Sequence, residues 1–227
     1  MSVRSGTLSP EGVRTMFDRI APFYDAMNRA MTMGLDGRWR RLAATAVVQP
    51  GDNVLDAACG TGDLAIAALR AGGKVTGLDV SEPMLERARR KNGAIEWVRG
   101  DLLELPFPDA SFDAATIGFG IRNVEDHERG LAELARVVRP GGRLAVLELA
   151  RPTGVLRHFY RVWFDQLIPL LGKIIPGGSA FTYLPASVRR FPAPEDLSSA
   201  IEAAGFVRPS YRLLAGGIVA LHVGERA

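Results

Sequence analysis

Short apolar runs alternate with amphipathic segments through the middle of this 227-residue chain. The apolar runs end at Asp56, Asp79 and Asp101, then near Gly118 and near Glu148. Runs this short, bounded by turn residues, are typical of buried strands. The pattern therefore predicts successive strands that end at these five positions.

Helical patterns separate most of these strands and also open the chain. Residues 9–50 are predicted to be helical, with Ser9 and Pro10 as N-cap and first-turn pair and a second helix over about 36–48. Ser81 is a typical N-cap for a helix that runs to Lys91. One further helix is expected to stop at 140–142, the sequence Pro-Gly-Gly. The apolar face of that helix consists of Leu131, Leu134, Ala135 and Val138.

Strands separated by helices of this length pair in parallel, so the pattern predicts a doubly wound α/β fold. The alternation stops after Glu148, and residues 151–193 are predicted to be an insertion rich in aromatic residues, arginine and proline. A helix over 195–204 and two strands over 207–214 and 218–223 follow. The short turn at 215–217 makes that last pair antiparallel.

Composition removes several classes of function. Apolar residues make up 47% of the chain and charged residues 23%, as in ordinary globular proteins. The net charge is +3, but the basic residues are scattered, whereas a nucleic-acid site would cluster them. Cys59 is the only cysteine, which excludes an internal disulfide and a cysteine-based metal site, and we predict no metal. No targeting segment is evident, so we expect a cytoplasmic location.

A glycine-rich loop follows the first predicted strand. Gly60 and Gly62, with Ala65, satisfy the loose form of the dinucleotide-binding fingerprint. A single Gly-x-Gly is weak evidence, and a nicotinamide cofactor is one candidate for this loop. The residues at the ends of the neighbouring strands are needed to distinguish between the possible cofactors.

Three aspartates indicate which cofactor this loop binds. Asp56, Asp79 and Asp101 are 23 and 22 residues apart, about one β-α-β unit each, so they are expected at the carboxyl edge of the sheet. Asp79 there can accept both hydroxyls of a ribose, and Asp101 can accept from an adenine amino group. Asp56 beside the loop disfavours phosphate and favours an ammonium group. S-adenosylmethionine carries these groups and no phosphate.

These residues resemble the class I, Rossmann-like S-adenosylmethionine-dependent methyltransferases. That fold implies a seven-stranded, mostly parallel sheet with helices on both faces and an antiparallel last strand. The chain is further similar to the C-methyltransferases of menaquinone and ubiquinone biosynthesis. The motifs that carry this similarity are "YDAMNRAMTMGLDGRW" (24–39), "LPFPDASFDAATIGFGIRNVED" (105–126), "RVVRPGGRLAVLEL" (136–149), "YLPASVRRFP" (183–192) and "GGIVALHVGER" (216–226).

The resemblance implies one methyltransferase domain over residues 1–227. Its parts would be an N-terminal helical cap (1–50), a cofactor-binding core (51–150), a helical insertion or lid after the fifth strand (151–193), and a C-terminal helix with the antiparallel strand pair (194–227). It also implies cofactor contacts by Thr61, Asp79, Asp101 and Leu102, the last through its backbone amide. The chain departs from the family's usual residues at Thr32, Asp36, Gly118 and Ala150.

The implied reaction transfers a methyl group to a ring carbon of a prenylated quinol, releasing S-adenosylhomocysteine. Because a phenol has a pKa near 10, a nearby cation is needed to favour the more reactive phenolate. Arg122 is our candidate for that role, and Asn123 for orienting a ring oxygen. Each of the three histidines, His127, His158 and His222, is expected to be structural.

The prenyl tail requires an apolar surface, and two regions qualify. Residues 16–33, including Tyr24 and Met27, form one candidate, since methionines suit adaptable apolar sites. Residues 155–175 form the other, where arginines flank aromatic residues as in helices that lie on anionic membranes. Peripheral attachment at the inner face of the membrane and a homodimer both stay open.

Other functions also stay open at this point. A methyltransferase for another small phenolic or lipid acceptor would have the same cofactor site. A non-catalytic protein that binds S-adenosylmethionine and acts as a scaffold would carry the same motifs. A nicotinamide-dependent dehydrogenase requires Asp56 and Asp101 to be incidental. Nucleic-acid methylation is disfavoured, because no Asn-Pro-Pro-Tyr-like tetrapeptide follows the fourth strand.

Overall fold

A computed structural model describes residues 8–152 and 178–227, with side chains from 183 onward in the second range. The helices are α1 (Pro10–Ile20), α2 (Tyr24–Met31), α3 (Asp36–Val47), α4 (Asp63–Arg70), α5 (Glu82–Lys91), α6 (His127–Val137), α7 (Gly178–Arg190) and α8 (Pro194–Ala203). The strands are β1 (Asn53–Ala57), β2 (Lys74–Asp79), β3 (Glu96–Arg99), β4 (Phe112–Gly118), β5 (Val138–Leu149), β6 (Phe206–Leu214) and β7 (Val219–Arg226).

Within these two ranges the strands form one sheet in the order β3-β2-β1-β4-β5-β7-β6. Strands β1 to β5 pair in parallel, and β7 runs antiparallel between β5 and β6. The predicted seven-stranded, mostly parallel α/β sheet with an antiparallel last strand is therefore confirmed. The strand order reverses direction between β1 and β4, and ligands of open α/β sheets bind at such a point.

Helices cover both faces of the sheet and enclose two apolar cores. Helices α3 and α4 pack on one face, and α6 and α8 pack on the other. Side chains of a strand alternate between the faces. In β1, Val54 accordingly packs with α3 and α4, whereas Leu55 and Ala57 pack in the core beneath α6.

Local sequence signals account for the helix starts near the carboxyl edge. The Ser9 side chain accepts a hydrogen bond from the Gly12 amide, and Ser81 accepts one from the Met84 amide, as predicted for N-caps. The predicted stop of α6 at 140–142 is too late. That helix ends at Val137, because Val138 already pairs with Phe112 in the sheet.

Part of the predicted insertion lies outside the described residues. This applies to residues 155–175, proposed to contact a membrane, and to His158. Its described end is α7, which contains Pro185. Among the helices that the structure describes, none is long and apolar enough to span a membrane.

Candidate active site

A cavity of about 410 Å³ opens at the carboxyl edge of the sheet. Its floor comes from the loops that follow four neighbouring strands, and α1 and α2 close it from above. These floor residues are Ala58, Cys59, Gly60 and Thr61 after β1, Asp79, Val80 and Ser81 at the end of β2, Gly100 to Leu103 after β3, and Gly118 to Gly120 after β4. The volume is within the range of small-molecule sites.

The two glycines of the loop after β1 have different tasks. Both adopt a left-handed backbone, with φ of 55° at Gly60 and 83° at Gly62. Gly60 lines the cavity and has open space where a Cβ would stand. A Cβ on Gly62 would overlap the ring of Trp97, and Gly62 is not among the lining residues. Gly62 therefore permits close packing behind the loop, and Gly60 gives the cavity its room.

Asp79 ties the loop to the end of β2. Its Oδ2 accepts a hydrogen bond from the Gly60 amide at 2.7 Å, and its Oδ1 accepts one from the Ser81 amide at 2.9 Å. Burial raises the pKa of Asp79, although these amide hydrogen bonds oppose that rise. Since a carboxylate has about four acceptor positions and Asp79 lines the cavity, it can still accept a hydrogen bond from a hydroxyl group there.

Asp101 and Leu102 lie side by side on the cavity wall after β3. Asp101 is exposed, and its Oδ1 accepts a hydrogen bond from the Leu103 amide at 2.9 Å. The Leu102 side chain is buried against Gly130 and other core residues. The structure thus brings together Asp79 and Asp101, as the strand spacing predicted, with Leu102, which the resemblance implied.

Asp56 lies behind this cavity and is not among its lining residues. It is fully buried, its Oδ1 accepts a hydrogen bond from the Thr116 hydroxyl at 2.7 Å, and its Oδ2 has no hydrogen-bond partner. The position follows from strand alternation, since Asp56 shares the face of Val54. Burial raises the pKa of Asp56 to about 7, against the effect of Thr116 and the nearby Arg40.

Two aspartates of the N-terminal helices hold them onto the cavity floor. Asp25 of α2 accepts a hydrogen bond from the Thr61 hydroxyl at 2.6 Å and forms an ion pair of 2.8 Å with Lys91. Asp18 of α1 accepts a hydrogen bond from the Ser81 hydroxyl at 2.5 Å. Burial raises the pKa of Asp25, but its contacts with Lys91 and Thr61 outweigh that effect and leave the pKa below its ordinary value.

Sequence reasoning missed both contacts. Thr61 and Asp25 are 36 residues apart, and Ser81 and Asp18 are 63 apart, so no local pattern links them. Thr61 lines the cavity as expected, yet its hydroxyl is engaged with α2 and Lys91.

Of the two predicted substrate residues, Tyr24 lines the cavity and Met27 does not. Tyr24 makes an edge contact with Phe17, with ring centroids 6.1 Å apart. Met27 is half-buried beside it, among the apolar residues that pack α1 and α2.

A second cavity of about 460 Å³ adjoins the first. Asn123 lines both cavities, whereas Arg122 lines the second one alone. The remaining wall of the second cavity includes His127, Tyr183, Ser187, Arg190 and Phe191.

Arg122 is fixed by a buried ion pair with Glu148. Its Nη1 donates to Glu148 Oε1 at 2.7 Å and to the Phe119 carbonyl at 2.6 Å. Both side chains are buried, at 7% and 1% exposure. Arg122 Nε and Asn123 Oδ1 are buried without a hydrogen-bond partner. Buried polar atoms of this kind need an explanation, and a ligand between them is one.

Two further candidates, His222 and Cys59, are buried. His222 is buried in β7, and its Nε2 lies 2.9 Å from the Pro194 carbonyl. Burial raises the pKa of the Cys59 thiol, so it does not act as a thiolate nucleophile. Over residues 8–152 and 178–227, no group of three His, Cys, Asp or Glu side chains is placed to hold a metal ion.

This sheet order, with a cavity over the β1 loop and an acidic residue after β2, defines a class I methyltransferase fold. Solved structures agree at 20–22% identity, a level that shows the fold alone. The [4+2]-cyclase SpnF aligns with a TM-score of 0.69, 20% identity and 97% coverage of both chains. A Thermotoga maritima S-adenosylmethionine-dependent methyltransferase aligns with a TM-score of 0.64 and 22% identity, covering 93% of this chain and 100% of its own.

The chain belongs to the ubiE/COQ5 methyltransferase family, whose model matches residues 5–226. Among similar proteins, the demethylmenaquinone methyltransferase of Thermus thermophilus is 48% identical, over 93% of this chain and 100% of its own. The 2-phytyl-1,4-naphtoquinone methyltransferase of Synechococcus elongatus is 40% identical, over 96% of this chain and 98% of its own. The protein is therefore an S-adenosylmethionine-dependent methyltransferase, and the predicted family and enzyme class are confirmed.

Proposed function

We propose that this enzyme methylates a ring carbon of a prenylated quinol, with demethylmenaquinol as its acceptor. The observation that carries the proposal is the junction of two cavities at Asn123, one at the cofactor edge of the sheet and one beside Arg122. Relatives of nearly the same length, named for naphthoquinone-type acceptors, supply the chemical class of the acceptor.

The residues of the first cavity fit S-adenosylmethionine. Asp79 keeps acceptor positions for the two ribose hydroxyls, and Asp101 with the Leu102 amide can recognise adenine. When bound, S-adenosylmethionine supplies an electrophilic methyl group on a sulfonium.

The second cavity supplies what the acceptor needs. Arg122 would lower the pKa of a quinol hydroxyl beside it and favour the phenolate, although its ion pair with Glu148 offsets part of that effect. Asn123 Oδ1 is buried without a hydrogen-bond partner and can accept a hydrogen bond from the other hydroxyl group of the quinol. Met27 of α2, half-buried beside Tyr24, is our candidate contact for the prenyl tail.

Methyl transfer from labelled S-adenosylmethionine to demethylmenaquinol tests the proposal. We expect label in the lipid with the wild type and a roughly 10- to 100-fold lower cofactor affinity in Asp79→Asn, because the variant loses charge-assisted hydrogen bonds. Asp109→Asn is the matched control, since Asp109 is an exposed carboxylate before β4, at the opposite edge of the sheet.

Label in neither demethylmenaquinol nor the demethylated ubiquinol precursor, despite tight cofactor binding, would contradict the proposed acceptor. That result would favour another phenolic or lipid acceptor, or the scaffold function.

A further inference from the structure

Arg40 of α3 is a buried cation on the wall of the cofactor cavity. The residue is only 6% exposed, and its Nε is buried without a hydrogen-bond partner. Its one ion pair in the described structure is loose, with Nε 3.8 Å from Asp36 Oδ2. Buried guanidinium groups are normally satisfied by hydrogen bonds, so this one lacks a partner that an anion would provide.

The surroundings of Arg40 hold its guanidinium in place. Its central carbon lies 5.2 Å from the ring centroid of Phe119, a cation–π distance. Asp36 in turn accepts a hydrogen bond from the Thr32 hydroxyl at 3.1 Å. Thr32, Asp36 and Arg40 thus form one polar row.

The backbone of Gly118 and Phe119 lies beside this guanidinium. Arg40 Nη1 lies 3.6 Å from the position that a Cβ on Gly118 would take. Phe119, the next residue, has a left-handed backbone with φ of 59°. Strained residues of this kind persist at sites where they serve a ligand. Gly60 and Thr61, which face the same cavity, complete the wall.

We propose that Arg40 binds the carboxylate of the methionine portion of S-adenosylmethionine. This inference rests on the proposed function, since it assumes that this cavity takes that cofactor. The adenosine portion occupies Asp79 and Asp101 at one end of the cavity, so the amino-acid portion lies towards Gly118 and Arg40. A planar guanidinium suits a carboxylate, with which it can form two parallel hydrogen bonds.

The competing explanation is that Arg40 compensates the buried charge of Asp56. The two groups are close enough for Arg40 to lower the pKa of Asp56, and Asp56 Oδ2 also lacks a partner. In that case the loss of Arg40 would change the stability of the protein and leave recognition of the carboxylate unchanged.

Calorimetric binding of two ligands separates these explanations. One ligand is S-adenosylhomocysteine, and the other is its decarboxylated analogue, which keeps the adenosine, sulfur and amine. We expect the wild type to bind the decarboxylated analogue roughly 10- to 100-fold more weakly, the effect of a charge-assisted hydrogen-bonded pair. Arg40→Met is expected to bind both ligands with similar affinity, and Arg40→Lys to recover part of the preference.

Arg41→Met is the matched control, because Arg41 is the exposed neighbour on the same helix. It is expected to keep the full preference for the carboxylate. The inference is overturned if Arg40→Met retains the wild-type preference, or if the wild type itself binds both ligands equally. Should Arg40→Met fail to fold, the affinities of the wild type and Arg40→Lys for the two ligands still test the inference. A wild type that binds neither ligand would overturn the proposed function as well.

Discussion

Asp56 is a fully buried carboxyl group beside the active site, and its titration affects folding. Burial raises its pKa to about 7, from an ordinary value of 3.8. Between about pH 4 and pH 7 the folded protein therefore retains a proton that the unfolded chain has released. The free energy of unfolding falls as the pH rises through this window, by up to about 1.4 kcal/mol per pH unit from this group.

Asp56→Asn removes this titration and keeps an oxygen acceptor for the Thr116 hydroxyl. We expect the free energy of unfolding of the variant, relative to the wild type, to rise from pH 4 to pH 7 and to level off above that. Urea denaturation at a series of pH values measures it. Parallel stability curves for the two proteins would show that Asp56 is not buried as described.

Sequence reasoning located some site residues and misplaced the role of others for identifiable reasons. The spacing of β-α-β units brings Asp79 and Asp101 to one edge, whatever the details of packing. Whether Asp56 lines the cavity depends instead on which face of β1 its side chain occupies, and the spacing of the strands does not determine that face. Arg40 did leave a signal, because the helical period places it with Ala44 on the inward face of α3.

At the scale of elements, the N-terminal helices complete the cofactor cavity through a few polar contacts. Asp18 and Asp25 reach Ser81 and Thr61 across the cavity rim, and Lys91 joins Asp25 to Asp63. These contacts couple the positions of α1 and α2 to the loops after β1 and β2, which we propose bind the cofactor. Helix propensity and periodicity predicted these helices but not where they dock.

Asp25→Asn tests this coupling. The variant loses the charge that pairs with Lys91, so we expect faster amide hydrogen exchange over residues 10–31 and a roughly 3- to 10-fold weaker affinity for S-adenosylhomocysteine. Glu86→Gln is the control, since Glu86 forms an exposed and loose pair with Arg90, at 3.9 Å on α5. Exchange over 10–31 that does not change in Asp25→Asn would contradict the docking described here.

At the scale of the whole molecule, the type of sheet and the family membership were predictable because they depend on the pattern of the full chain. The alternation of strands and helices gives a parallel sheet, and the turn at 215–217 gives the antiparallel last pair. The chemistry is not fixed by that architecture, since a [4+2]-cyclase shares it with a TM-score of 0.69. In our proposal, the side chains of the second cavity select the acceptor.

The central claim is therefore that the methyl group ends on a ring carbon of the quinol. Nuclear magnetic resonance of the lipid product, made from demethylmenaquinol and S-adenosylmethionine with a ¹³C-labelled methyl group, tests it most directly. We predict a single labelled methyl signal coupled to a ring carbon, with no labelled methoxy signal. A methoxy signal would show oxygen methylation, and an unlabelled lipid would show that demethylmenaquinol is not the acceptor.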